Sequence, residues 1–171
     1  MWGQKIHQAE PLLFIQADMP KGQFQERWNN LEVGKQDSRI WTYTSPTNLD
    51  LVNIQGNHPG AIHARGILGK HNEHRFKVVA IDCLQTIQPL NISHQETVQV
   101  VYGALKSYFH GATIILIHHE RKQSRDPDAV EDDAEAFAGS QAWASQAQIG
   151  IRVRPKSRKD REVLLIHTKR S

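Results

Sequence analysis

The sequence holds a single cysteine, Cys83, in 171 residues. A lone cysteine excludes an internal disulfide and fits a reducing compartment. No apolar run approaches the roughly 20 residues that a membrane-spanning helix needs. The opening residues, MWGQKIHQAEP, contain no apolar stretch of leader length, which predicts a cytoplasmic protein. No segment repeats, and none has the biased composition of a linker. Charge of one sign is not in excess either: 21 basic against 18 acidic side chains leave a net charge of +3. What is present is ordinary for a soluble domain, with 39% hydrophobic and 23% charged residues in a chain long enough to bury a core.

Short apolar runs alternate with amphipathic stretches. Residues 12–17 (LLFIQA) have strand length, and Pro20 discourages further pairing. Phe24, Trp28 and Leu31 recur at helical spacing and predict a helix over 22–31. Residues 40–44 (IWTYT) are β-branched and aromatic and read as a strand. A helix is expected over 59–70, weakened by internal glycines. Residues 76–81 form a buried strand ending in Asp82. Ser93, with Glu96 three residues on, has the signature of a capping box opening a helix to about Phe109. Residues 113–117 (TIILI) read as another buried strand, followed by His118 and His119. A polar, acidic loop to about Glu135, a small-residue helix over 136–146 and a hairpin of 149–154 with 163–167 complete the chain.

Apolar strands separated by helices predict an α/β fold: a mostly parallel sheet flanked by helices, with a C-terminal antiparallel hairpin added at one edge. The whole chain, 1–171, reads as one domain. Ligands of such sheets bind at the carboxyl ends of the strands. That rule gathers Asp18, Asp82, His118 and His119, each of which follows an apolar strand.

Val78-Val79-Ala80-Ile81-Asp82 has the shape of a Walker B strand, in which a carboxylate fixed at the sheet's edge holds Mg²⁺ through its water shell. A buried strand that ends in a turn-forming aspartate accounts for the same residues. Asp18 could polarise an attacking water as a general base, or cap the helix that follows it. His118 and His119 point to opposite faces if the strand continues, so one of them could donate a hydrogen bond to a phosphate. Either could equally be a strand-end histidine without a ligand. His58, His63, His71 and His74 match no standard zinc spacing, and no HExxH occurs. Gly69-Lys70 is not a phosphate-binding loop: GxxxxGK[ST] would need a glycine at Ala64 and Ser or Thr at His71. No other stretch carries that motif.

Taken together, PLLFIQADMP, FKVVAIDCLQTIQP, ATIILIHHERK, FAGSQAWASQAQIGIRV and REVLLIHTKR resemble the RecA-like ATPases, in particular the RepA-type hexameric replicative helicases. The matching segments keep the family's order from near residue 1 to the end. The resemblance implies ATP and Mg²⁺ as cofactors. It implies that Asp18 stands at the position of a catalytic glutamate and that Asp82 is the Walker B aspartate. It implies that His119, with His118 beside it, senses the γ-phosphate. Lys169 and Arg170 resemble the basic pair that reaches a neighbouring subunit's nucleotide, which implies a homo-oligomer, hexameric in the family. Gly139-Ser140-Gln141 fall where the family flanks its DNA-facing loops, and Lys122, the trailing lysine of ATIILIHHERK, is a further candidate for contact with nucleic acid. The family begins with a strand, a GxxxxGK[ST] loop and a helix. This sequence is expected to start after them, so ATP hydrolysis by the chain alone is not expected.

Arg152, Arg154, Lys156, Arg158, Lys159 and Arg161 cluster in the hairpin, opposed only by Asp160. Such a cluster can contact phosphate backbones without reading bases, which makes DNA a candidate partner. A solvated hairpin tip accounts for the same charges, and residues 126–135 are acidic instead. Three functional classes stay open: an ATPase or helicase core that needs a phosphate loop, a non-enzymatic nucleic-acid-binding or assembly module, and a metal-dependent nuclease using Asp18 and Asp82 with histidines, which no sequence feature beyond the acids supports.

Overall fold

The computed structural model describes residues 10–30, 39–45, 48–87, 94–118, 141–155 and 163–169. They form β1 (Leu12–Gln16), α1 (Lys21–Asn30), β2 (Ile40–Thr44), α2 (Pro59–His74), β3 (Val78–Asp82), α3 (Gln95–Tyr108), β4 (Thr113–Ile117), α4 (Gln141–Gln146), β5 (Gly150–Pro155) and β6 (Val163–Lys169). A 3₁₀ turn, Leu84–Thr86, follows β3. The chain divides into two compact units: Met1–Leu90 with Gly103–His118, and Asn91–Tyr102 with His119–Ser171.

In the first unit four strands form a sheet of order β2-β1-β3-β4. Every pairing in it is parallel. The chain thus has an α/β fold built on an all-parallel sheet with helices. Residues of one strand alternate between the two faces. Leu12, Phe14 and Gln16 share one face with Val78, Ala80 and Asp82 of β3, their register partners. Leu13 and Ile15 share the other with Val79 and Ile81. Helix α1 packs on the first face: the Phe14 ring stacks on Phe24 at 5.8 Å and meets Trp28 at 6.1 Å. Helix α2 packs on the second, where Trp41 lies 4.0 Å from the His74 ring. Ile15, Val79 and Ile81 are fully buried there with Ala61, Ala64 and Ile67 of α2. Burying each large aliphatic side chain contributes about 1.5–3 kcal/mol, which is why these positions carry no polar atoms.

Helix α2 runs four residues past its expected end at Lys70, to His74. Gly66 and Gly69 fall on its exposed side, with open space where a Cβ would be. Their cost of roughly 1 kcal/mol each against alanine is outweighed by the buried face. The helix starts on a cap, in which the His58 side chain accepts from the Ala61 N–H and Pro59 occupies the first turn. It stops at Arg75, whose φ of 52° is left-handed and whose N–H bonds His71 O at 2.7 Å. The Gly69-Lys70 pair therefore lies inside a helix rather than in a loop.

One expectation needs correction. Residues 113–117 read as a strand buried on both sides, but among the described residues β4 is the edge of the sheet. Ile115 is 48% exposed and Ile117 39%. An apolar run encodes the wish for neighbours without showing whether they are present. In the second unit β5 and β6 pair antiparallel as a two-stranded sheet, with a register irregularity at Gly150/Ile151. In that second unit the Tyr102 hydroxyl donates to Trp143 O at 3.3 Å, and the two rings lie 5.4 Å apart. The Ser93 cap, the acidic loop and the helical residues expected over 136–140 lie outside the described residues.

Candidate functional site

The strand order fixes where a ligand site can form. From β1 the chain leaves through α1 to β2 on one side, while from β3 it leaves through α3 to β4 on the other. The two central strands thus send their connections in opposite directions, the kind of reversal at whose carboxyl ends open α/β sheets bind their ligands. The rungs there align Thr44, Gln16, Asp82 and Ile117 in one row across the sheet. Asp82 ends β3, and Asp18 lies two residues beyond β1. The structure thus brings both predicted acids to the point of reversal.

Gln16 joins them, and sequence reasoning passed it over. Its side chain is fully buried. Its Nε2 donates to Asp82 Oδ2 at 3.1 Å. Its Oε1 accepts from the backbone N–H groups of Asp18, at 2.5 Å, and Met19, at 3.0 Å. One amide therefore orients the Asp82 carboxylate and shapes the turn that carries Asp18. The backbone closes the same junction: Ala17 N–H bonds Asp82 O at 2.9 Å, and Ser45 N–H bonds Gln16 O at 2.9 Å. A polar residue closing an apolar run, on the same parity as Phe14, was the available signal. A buried amide needs partners on both its ends, and the strand ends are where those partners lie.

An open cleft of about 630 Å³ lies beside the turn, lined by Asp18, Lys21, Thr44, Ser45 and Asn48 among others. Cys83, directly after Asp82, is buried, and burial pushes its thiol pKa up, with the nearby Asp18 and Asp82 carboxylates adding to the rise. It is held as a neutral thiol and is unsuited to nucleophilic chemistry.

The connection from β2 to α2 borders this region and is held at several points. Asp50, 5% exposed, accepts from the N–H groups of Val52 at 3.1 Å and Asn53 at 2.8 Å. It also meets His58 Nε2 at 3.1 Å. Arg65 Nη1 donates to the carbonyls of Ile54 and Gly56. Asp50 N–H bonds Gly60 O at 3.2 Å, and a Cβ on Gly60 would come within 2.5 Å of Asn48 O. Only glycine permits that approach.

The four histidines considered for zinc have separate occupations. His58 pairs with Asp50, and His63 Nδ1 lies 2.5 Å from the Tyr43 hydroxyl. His71 is buried beside Phe76 and Phe109, and burial, with Arg75 adding, lowers its pKa. His74 packs on Trp41. Among the described residues no three potential ligands come together to hold a metal ion.

His118 directly follows β4 and is partly buried. His119, Lys122, Gly139, Ser140, Lys156, Arg158, Lys159, Arg161 and Arg170 lie outside the described residues. The backbone places Arg152 and Arg154 on alternate rungs of β5, opposite Ile166 and Leu164, and Lys169 at the end of β6. No helix among the described residues is long and apolar enough to cross a membrane. No protein-family model matches this chain, and no curated protein matches it.

Proposed function

We propose that this chain is a RecA-like ATPase domain of the RepA-type helicase kind, associated with DNA replication or unwinding. We propose also that it is inactive alone, because its sequence carries no GxxxxGK[ST] loop. One observation carries the reading. The two central parallel strands bring Asp82 and the Asp18 turn together at the point where the chain reverses, and Gln16 ties the one to the other. Carboxylate oxygens suit a hard cation such as Mg²⁺, so the donor set fits the metal. Asp82 would hold it through its water shell, and Asp18 would polarise the attacking water. Bound there, Mg²⁺ would neutralise charge on phosphate oxygens. The phosphates themselves need a cradle of backbone N–H groups, and the sequence supplies none with the required motif. Sensing by His119 and His118, a finger from Lys169 or Arg170 and DNA contacts by Lys122, Ser140, Arg152, Arg154, Lys156, Arg158 and Lys159 rest on the resemblance and on charge.

Calorimetry of the chain with ATP and Mg²⁺ tests the proposal. Affinity no better than millimolar is expected, and micromolar binding would contradict the need for a further loop. Asp82→Ala should leave the isolated chain at background hydrolysis, and a large loss would reveal a working site. Fusing a strand-loop-helix segment carrying GxxxxGK[ST] ahead of residue 10 should create ATPase activity that Asp82→Ala removes.

A second reading, a binding or assembly module without ATPase activity, draws on the edge strand β4. Its sequence, TIILI, has no proline or charge, and Ile115 and Ile117 are exposed. Natural sheets usually guard such an edge, so one without proline or charge suits a chain completed by another segment. This reading expects the fused protein to bind DNA or partner chains without hydrolysing ATP.

A further inference from the structure

The buried amide of Gln16 is bonded at both ends, and the two ends serve different purposes. Its oxygen takes two backbone N–H groups of the 18–19 turn, a role that any turn-forming acceptor could fill. Its nitrogen spans to a residue 66 positions away and donates to one oxygen of the Asp82 carboxylate. A carboxylate at a strand end can rotate about its terminal torsion, which is soft and roughly two-fold. A donor fixed on one oxygen removes that freedom and leaves the other oxygen's direction set. The donor is itself fixed, because Gln16 is fully buried and its carbonyl oxygen is held by the turn. Partners of this kind, one bond behind a metal-binding group, govern how well that group binds.

We propose that Gln16 is a positioning residue, which fixes the orientation of the Asp82 carboxylate and locks the Asp18 turn to it, so that the two acids act on a divalent cation as one unit. This rests on the reading of Asp82 as a cation-holding group. It assigns Gln16 no contact with the cation and no part in proton transfer.

The test uses the full chain, labelled with nitrogen-15, and Mn²⁺ as the probe. Paramagnetic broadening of amide signals locates weakly bound Mn²⁺ and gives its affinity. In the unaltered protein, broadening should centre on the amides of residues 17–19 and 82–83. Asp82→Asn should abolish it. Gln16→Met, similar in length but with neither donor nor acceptor, should need about tenfold more Mn²⁺ for the same broadening. It should also speed hydrogen exchange at the Asp18 and Met19 amides. Ile67→Ala, a fully buried site on α2, serves as a destabilised control and should leave Mn²⁺ affinity unchanged.

The outcomes separate. Absence of broadening at the strand ends of the unaltered protein overturns the cation reading and this proposal with it. Broadening lost in Asp82→Asn but unmoved in Gln16→Met overturns the positioning role alone. An equal loss in Ile67→Ala also overturns it, since the effect would then follow global stability. Should Gln16→Met fail to fold, the Gln16 side-chain amide protons of the unaltered protein decide. They are expected to be shifted by the carboxylate and to move on Mn²⁺ addition, and signals at free-amide positions would overturn the proposal.

Discussion

Replacing Asp50 tests whether the β2–α2 connection is held by one carboxylate. Asp50→Ala removes the acceptor for the Val52 and Asn53 N–H groups and the partner of His58. A hydrogen bond to a charged acceptor is worth about 1.5–3 kcal/mol, and a buried donor left unmet costs about 1–3 kcal/mol. The two donors differ, however. Val52 is partly buried, while Asn53 is exposed and water can replace its partner. The His58 side chain is 45% exposed, so its pairing is screened and adds at most about 1 kcal/mol. The sum expected is about 2 kcal/mol. With a urea dependence of about 2 kcal/mol/M, the midpoint of urea unfolding should fall by about 1 M. Asp50→Asn keeps one carbonyl oxygen as an acceptor and should lose about half as much. A shift below about 0.2 M for Asp50→Ala, or equal shifts for the two variants, would refute the reasoning.

Other outcomes follow from particular contacts. Gly60→Ala should destabilise the chain by about 1–3 kcal/mol, read by the same urea unfolding, because the added Cβ meets the rigid Asn48 carbonyl rather than a flexible side chain. His71 should make stability pH-dependent. Its folded pKa lies below the ordinary 6.5, through burial first and Arg75 second. The unfolded chain then binds a proton that the folded chain refuses, so stability present above pH 6.5 falls as the pH drops below it. Thermal unfolding at pH 7.5 and 5.5 should show the fall, and His71→Leu should reduce it. Phe24→Ala should cost about 3–4 kcal/mol, measured by urea unfolding, since Phe24 packs between Phe14 and Trp28 on the sheet.

The strands were legible where local composition settles them. Residues 40–44 and 113–117 read as strands from their β-branched and aromatic content, and they match β2 and β4 residue for residue. Asp18 and Asp82 could be placed at strand ends because apolar runs stop there. What could not be read depends on partners distant in sequence. Gln16 looks like the polar close of an apolar run until β3 is set beside it. The edge position of β4 follows from the order of strands rather than from its own residues. Helix α2 outlasts its glycines because they face solvent, a matter of which side packs.

The junction of β1 and β3 joins segments separated by 66 residues. Contacts of that span form only after a large loop has been closed, and loop closure delays folding more than it weakens the final state. Strands β3 and β4, joined through α3, can associate over a shorter stretch of chain. The acids on either side of Gln16 therefore come together only once β1 has docked against β3. A partly folded chain would hold most of its helices and half its sheet yet lack the Gln16–Asp82 bond, so that bond would report completion of the central pairing more sharply than helical content does.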